Sequence, residues 1–139
     1  MNIRVLKHGE FVFTIDDPAV LARRVPLEPE EGYTLDAADL AAWQREQKVK
    51  EVRAEAQRRM MSLLSARDTA HLDTLISNGS REAIRLLRKG IENWTPEEAA
   101  RASELERVDA AIEAIRAAGD ALENMVEIPQ NFAIDAWWK

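Results

Sequence analysis

Hydrophobic and polar residues alternate at the start of the chain, and this period of two predicts β-strands. The apolar positions of the two alternating sets are Ile3 and Val5, then Phe11, Phe13 and Ile15. Between the sets, the sequence KHGE supplies the glycine that a tight turn needs. We predict a β-hairpin here, and we expect it to lie on another surface because a lone hairpin is marginal in water.

The pattern is interrupted over residues 16–35, which hold three of the five prolines and the sequence PLEPEEG. Prolines and acidic residues at this density predict an irregular connector, with at most one helical turn at Ala19 to Arg23. The sequence IDD before Pro18 is typical of a capped turn. We therefore predict a first domain, residues 1–35, that consists of the hairpin and the Pro-rich connector.

Apolar residues then recur at spacings of three and four, which predicts helices. The first helix should extend from residue 36 to about 64 and end near Ser65. Asn78 and Gly79 form a typical helix stop, so we expect a short helix with Leu72, Leu75 and Ile76 before them. A further short helix should begin at a Ser80 cap, with an inner face formed by Ile84, Leu87 and Ile91.

The sequence TPEE predicts the start of the last helix, because Thr95 and Glu98 can form a capping box around Pro96. This helix should end near Met125. Its apolar residues form a heptad seam, and they are Leu105, Val108, Ile112, Ile115, Gly119, Leu122 and Val126. The seam could pair with the helix at residues 36–64 of the same chain, or with other copies in a homo-oligomeric bundle.

The predicted fold is mainly α: an N-terminal β-hairpin and irregular connector are followed by a helical bundle with long coiled-coil-like helices. The bundle should occupy residues 36–127. The remaining sequence, IPQNFAIDAWWK at residues 128–139, should form an extended C-terminal anchor. Trp137 and Trp138 have large apolar surfaces, so we expect them to bury either on this chain or on a partner.

Charge is unevenly distributed along the 139 residues, whose net charge is −6. Residues 1–43 carry 4 basic and 8 acidic side chains, residues 44–89 carry 11 and 6, and residues 90–139 carry 4 and 11. Solvated helix surfaces explain this layout, as do complementary faces that pair within the chain or with a partner. The chain has no cysteine and no long apolar run, so we expect neither disulfides nor membrane insertion.

Candidate chemistry is sparse. His8 and His71 lack a second histidine or cysteine at ligand spacing, so we expect no metal site, no cofactor and no catalytic residues, and hence no enzyme. The basic stretch at residues 45–59 is interrupted by glutamates and has no aromatic residue for base stacking. On electrostatic grounds we therefore expect no nucleic-acid binding.

Two stretches carry a resemblance to a known group of proteins: AEAQRRMMSLLSARDTAHLDTLISNGSREAIRLL and WTPEEAARASELERVDAAIEAIRAAGDALENM. With the proline and aromatic cluster after them, they resemble small proteins encoded in the tail-gene regions of double-stranded DNA bacteriophages. Many of those have an IEAIRAASNALE-type helix, then IP, an acidic spacer and a terminal tryptophan. The matching positions here are Ile112 to Glu123, Ile128, Pro129, Asp135, Trp137 and Trp138. This chain differs in having Gly119 where serine is common and in ending with WWK instead of Trp-Pro.

The resemblance covers residues 54–139 and implies a tail structural or assembly protein that binds a tail-fibre or baseplate protein. Such a protein would occupy the virion tail, or the host cytoplasm during assembly. The alternative is a soluble phage-encoded inhibitor or regulator that binds a host protein through its acidic helix. Under the first hypothesis the partner-binding residues are Phe132, Trp137, Trp138, Ile112, Ile115, Gly119 and Leu122.

Overall fold

The computed structural model describes residues 2–20 and 32–139. Its internal contacts divide the chain into two compact units, Met1–Lys50 and Glu51–Lys139. Most of the predicted connector, and with it most of the helical turn predicted at residues 19–23, lies outside the described residues. The capped turn before it is confirmed, since the Asp17 carboxylate accepts a hydrogen bond from the Ala19 N–H at 2.9 Å.

The predicted hairpin is confirmed as strands β1 (Ile3–Lys7) and β2 (Glu10–Ile15) of an antiparallel sheet. His8 and Gly9 form the turn and both have positive φ, 52° and 83°, as the tightest hairpin turns require. The strand register shifts between Val5 and Leu6, which leaves Val12 without an opposite residue. Such a bulge bends the strand locally.

A third strand, β3 (Tyr33–Leu35), pairs with the other edge of β1, so the sheet order is β2-β1-β3. This corrects the prediction that residues 16–35 are irregular throughout. A three-residue strand has too few alternating positions to be recognised from sequence. It forms because β1 offers a free edge of backbone hydrogen-bonding groups, which is a tertiary feature.

One face of the sheet forms a small core. Ile3, Val5 and Ile15 are buried and pack with partly buried side chains, namely Phe13, Val20, Tyr33, Leu35, Leu40 and Trp43. The last two belong to the first helix, α1 (Ala37–Leu64). The start of this helix is fastened to β1, because Asp39 accepts hydrogen bonds from the backbone N–H of Arg4 at 3.0 Å and from its Nε at 2.8 Å. The hairpin thus has the supporting surface that its marginal stability requires.

The predicted helix end near Ser65 is confirmed. Ser65 has φ of 53°, and the Ala66 N–H donates to the Met61 carbonyl at 2.9 Å, which closes the C-terminus of α1. Two further helices follow, α2 (Thr69–Lys89) and α3 (Pro96–Glu123). Short 3-10 helices lie at Ile91–Asn93 and Asp135–Trp138. The mainly α fold with an N-terminal hairpin is therefore confirmed.

The two short helices predicted on either side of Gly79 are instead the single helix α2. Leu72, Ile76, Gly79 and Leu86 recur at helical spacing, so the packed face continues in phase through the expected stop. Gly79 lies against α3, where an added Cβ would be 3.6 Å from Leu105 Cδ2. The real stop is Gly90, whose φ is 86° and whose N–H donates to the Leu86 carbonyl at 3.3 Å. Packing overrides the local propensity at Gly79.

The capping box predicted at the start of α3 is confirmed. Glu98 N–H donates to Thr95 Oγ1 at 3.1 Å, and Thr95 N–H donates to Glu98 Oε1 at 3.1 Å. The helix ends slightly earlier than predicted, at Glu123, so Val126 does not extend the seam and is 100% exposed. The helix stop leaves this valine beyond the packed face.

Within the second unit, α3 contacts both other helices. Its N-terminal half contacts α2, since Arg101 Nε donates to Glu82 Oε1 at 2.8 Å and Lys89 Nζ lies 2.6 Å from Glu98 Oε1. Its C-terminal end contacts α1, since Arg53 Nε donates to Glu123 Oε1 at 2.9 Å. The helices form a bundle, and one seam residue, Gly119, lies beside α1, where an added Cβ would be 3.7 Å from Ala56 Cβ.

Candidate functional site

The C-terminal segment, residues 128–139, folds onto the helices of the second unit. It consists of turns followed by a 3-10 helix, so it is not extended as predicted. Ile128, Phe132 and Trp138 are buried, with exposed fractions of 7%, 9% and 6%. Of the two alternatives for this aromatic cluster, burial on the same chain is the one that the structure describes for Trp138.

Trp138 fills a site formed by α1, α3 and its own segment. The indole N–H donates to the Phe132 carbonyl at 2.7 Å, so the polar atom of the buried ring is satisfied. The guanidinium of Arg59 lies 5.1 Å from the ring centroid, within cation–π range. A Cβ atom added at Gly119 would lie 3.6 Å from Trp138 Cζ3 and 3.7 Å from Ala56 Cβ. The ring therefore lies directly on the backbone of α3.

Arg59 links the segment to α1 by several bonds. Its Nη2 donates to the Ala133 carbonyl at 2.8 Å and to Asp135 Oδ1 at 2.9 Å, and its Nε donates to Glu55 Oε1 at 2.9 Å. A hydrogen bond from Arg58 is the main cause that lowers the pKa of Glu55, with added attraction from Arg58 and Arg59. Glu55 is thus held ionised, and it fixes the guanidinium that holds the C-terminal segment.

Trp137 is placed differently from its neighbour. Its side chain is only partly buried, and its indole N–H donates to Asn131 Oδ1 at 3.2 Å within the same segment. The two adjacent tryptophans therefore have different roles in the folded chain: Trp138 is part of the core, whereas Trp137 lies at its margin. Sequence alone could not separate them, because both are equally apolar.

The predicted partner-binding residues of the seam lie inside the unit. Ile112 and Leu122 are 5% and 1% exposed, Gly119 is buried, and Ile115 is partly buried. Of these residues, Gly119 lies against the Trp138 ring. Partner binding by these side chains stays a prediction; in the folded chain their contacts are internal.

A different set of apolar residues faces solvent. Ile84, Leu87 and Ile91 are 49%, 70% and 71% exposed, and we call them the α2 stripe. Their assignment to an inner face was wrong, because Leu86 takes the inward position on this turn and is 4% exposed. Ile84 and Leu87 lie on α2, whereas Ile91 follows the Gly90 stop in the 3-10 helix, so the three residues do not continue one helical face. Sequence could not show which of two neighbouring apolar rows is buried.

Other charged candidates serve the fold. His71 Nδ1 accepts a hydrogen bond from the Arg67 N–H at 3.0 Å at the start of α2. In the basic stretch, Arg53, Arg58 and Arg59 are paired with Glu123 and Glu55. Over residues 2–20 and 32–139, no group of three or more histidine, acidic or cysteine side chains is arranged to hold a metal ion.

Among the described helices, none is long and apolar enough to cross a membrane. Comparisons of the chain with protein-family models, with curated proteins and with solved structures found no match.

Proposed function

We propose that this chain is a bacteriophage tail structural or assembly protein that binds a tail-fibre or baseplate protein. The resemblance of residues 54–139 supplies the setting. The observation that supports the binding role is the α2 stripe: Ile84 and Leu87 are exposed near the end of α2, and Ile91 is exposed in the 3-10 helix after it. Scattered apolar residues are normal on a surface, but several large aliphatic side chains exposed close together in the chain favour a protein-binding site.

The folded C-terminal segment changes how the binding surface is assigned. Trp138 could bind a partner only if it left its position on Gly119 and broke the Arg59 contacts. We therefore expect Trp138 to hold α1 and α3 together and not to bind the partner. We therefore assign the first contact with the partner to the α2 stripe, and we retain partly exposed Trp137 as a secondary contact.

The inhibitor hypothesis depends on a continuous acidic surface along α3. Several of the carboxylates that would form it are already paired with cations: Glu98 with Lys89, Glu104 with Arg107, Glu113 with Arg116 and Glu123 with Arg53. These pairs reduce the resemblance of the helix to a polyanion. The tail-protein proposal is thus the better supported of the two.

The test is co-expression of the tagged chain with each fibre and baseplate protein encoded by the same genome, followed by size-exclusion chromatography of the purified material. We expect a complex of fixed stoichiometry with one of them. Mass spectrometry of purified particles then separates a structural component, present at constant copy number, from an assembly factor that leaves. Failure of every fibre and baseplate protein to form a complex would overturn the proposal.

A further inference from the structure

Three arginines form a basic row on the solvent side of α2. Arg81, Arg85 and Arg88 are separated by four and three residues, so they lie within about 60° of one another around the helix axis. All three precede the helix end at Lys89, and all three are exposed. We call these three residues the arginine face.

The arginine face has no carboxylate to balance it in the part of the chain that the structure describes. None of its three side chains forms an ion pair there. Glu82 is the nearest acidic residue, and the hydrogen bond from Arg101 is the main cause that lowers its pKa, with only a minor attraction from Arg85. Like charges at spacings of three and four repel one another along a helix. The chain therefore keeps an unbalanced row of positive charge although its net charge is −6.

Other arginines of the helices are arranged differently. Six of them each bond a carboxylate of the same chain, namely Arg53, Arg58, Arg59, Arg101, Arg107 and Arg116. The arginine face is thus distinct from the cations that stabilise the bundle. Charge complementarity requires carboxylates on whatever covers it.

α3 carries a matching row of carboxylates. Glu106, Asp109 and Glu113 are exposed and are separated by three and four residues, and we call them the carboxylate face. Among the described residues, the first two form no ion pair, and Glu113 is paired only with exposed Arg116 at 3.0 Å. This row also places like charges at helical neighbours, so an opposite charge would relieve both rows.

The two faces match in spacing when the helices are antiparallel. The arginines are spaced by four and then three residues, and the carboxylates, counted from the C-terminal end, are spaced in the same way. At about 1.5 Å per residue, both rows have steps of about 6 Å and about 4.5 Å along the helix axis. One register therefore brings three pairs level: Arg81 with Glu113, Arg85 with Asp109, and Arg88 with Glu106.

The two faces cannot meet within one chain. α3 of the same chain contacts α2 at Gly79 and Glu82, which lie about 130° around the helix from the centre of the arginine face. The arginine face therefore points away from its own α3. A contact between the two faces requires two copies of the chain.

We propose that the arginine face of one copy binds the carboxylate face of a second copy, with α2 and α3 antiparallel. A copy bound in this way holds its own α3 on the far side of its α2, so its carboxylate face stays free for a third copy. Such a head-to-tail contact does not stop at two copies and builds a ring or a filament. The match of spacing favours a second copy over nucleic acid or another acidic protein.

The contact should be weak and sensitive to salt. Its ion pairs lie at an exposed surface, where each contributes little and salt screens the attraction. The inference does not rest on the tail-protein proposal. Leu87 lies outside the contact, about 130° around α2 from the centre of the arginine face, so the same copy can still bind another protein there.

Sedimentation equilibrium of the full-length chain tests the proposal. Protein concentration is raised from about 10 μM to about 1 mM, a range that detects weak association. At about 0.01 M salt we expect the average mass to rise beyond that of two copies, because the contact leaves a free face at each end. At about 1 M salt, where screening is strong, we expect a monomer.

Two charge-reversed variants assign the association to the two faces. One changes the arginine face to glutamate and the other changes the carboxylate face to lysine. Each variant alone should associate at least about tenfold more weakly than wild type, with helix content unchanged in circular dichroism. An equal mixture should associate again, because each variant keeps the native face that the other has lost. The substitutions are Arg81→Glu, Arg85→Glu and Arg88→Glu in one, and Glu106→Lys, Asp109→Lys and Glu113→Lys in the other.

A matched control separates the contact from net charge. Lys50→Glu, Arg67→Glu and Lys139→Glu change the net charge as much as the arginine substitutions do, at exposed positions outside both faces. This triple variant should associate more strongly than the variant of the arginine face. Equal association of these two variants would overturn the inference, because net charge alone would then explain the loss.

Four further results would also overturn it. They are a wild-type chain that stays monomeric at low salt, a mass that levels at two copies, undiminished association of either charge-reversed variant, and a mixture of the two that fails to associate. If the monomeric chain instead binds a short DNA duplex or an acidic peptide through the three arginines, the face belongs to that partner. A chain that stays monomeric and still binds a fibre or baseplate protein would uphold the tail-protein proposal alone.

Discussion

Replacing Trp138 with alanine tests whether the C-terminal segment is part of the core. Trp138 is 6% exposed, so alanine removes nearly a whole buried ring, its hydrogen bond to the Phe132 carbonyl and its contact with Arg59. Truncations of buried aromatic residues cost about 3–5 kcal/mol. Trp138 lies in a 3-10 helix of only four residues, which can partly collapse into the space, so we expect the lower end, a loss of about 3 kcal/mol in the free energy of unfolding.

The assay is urea unfolding followed by far-UV circular dichroism, which reports the helices. Trp137→Ala is the matched control, because it removes an identical side chain one residue away that is only partly buried and bonds only Asn131. We expect it to cost less than about 1 kcal/mol. Trp138→Phe should lie between the two, since it keeps most of the apolar contact and leaves the Phe132 carbonyl without its donor.

Equal losses for Trp137→Ala and Trp138→Ala would refute this reasoning. The segment would then contribute no specific packing, and both tryptophans would be available to a partner. A large loss of unfolding free energy for Trp138→Ala alone would leave Trp137 as the tryptophan of the segment that can contact a partner, because its indole is accessible without unfolding.

Three further predictions concern the same unit. Gly119→Ala should be neutral or stabilise the chain by up to about 1 kcal/mol in urea unfolding, because the new methyl group meets Trp138 and Ala56 only at ordinary contact distance and alanine favours helix. Gly119→Leu should displace Trp138 and destabilise the chain by about 1–3 kcal/mol. Ile112→Asp should abolish cooperative thermal unfolding by burying an uncompensated charge, and an unaltered melting curve would contradict the buried position. Because the pKa of Glu55 is lowered in the folded chain, its ion pairs contribute their full stability above the ordinary glutamate pKa, and this contribution is lost as the pH falls through the pKa of the folded state. Thermal melts in acid should show this loss as a fall in melting temperature. Glu55→Gln should make that fall smaller.

The helices could be predicted where sequence pattern and local chemistry agree. The capping box at Thr95 and the apolar row of α3 both act within a few residues, so the start and face of that helix were readable. The helix end predicted at Gly79 was wrong because a glycine alone does not end a helix. Here Leu72 and Leu86 on either side of it pack on the same face and keep the helix continuous, which is a tertiary property.

The candidate site was harder to predict because the exposure of a side chain cannot be inferred from its residue type. Trp137 and Trp138 have the same side chain, yet only the latter meets the glycine and arginine that make a binding site for a ring. Leu86 and Leu87 are likewise adjacent and equally apolar, and one is buried while the other is exposed. The difference lies in the direction that the helix gives each side chain.

The proposed tail role is tested most directly by deleting the reading frame from the genome that encodes it and counting complete tails with fibres by electron microscopy, with the wild-type chain supplied from a plasmid as control. The proposal predicts particles that lack fibres or have incomplete tails, restored by the wild-type plasmid. Normal numbers of complete, infectious particles after the deletion would contradict it.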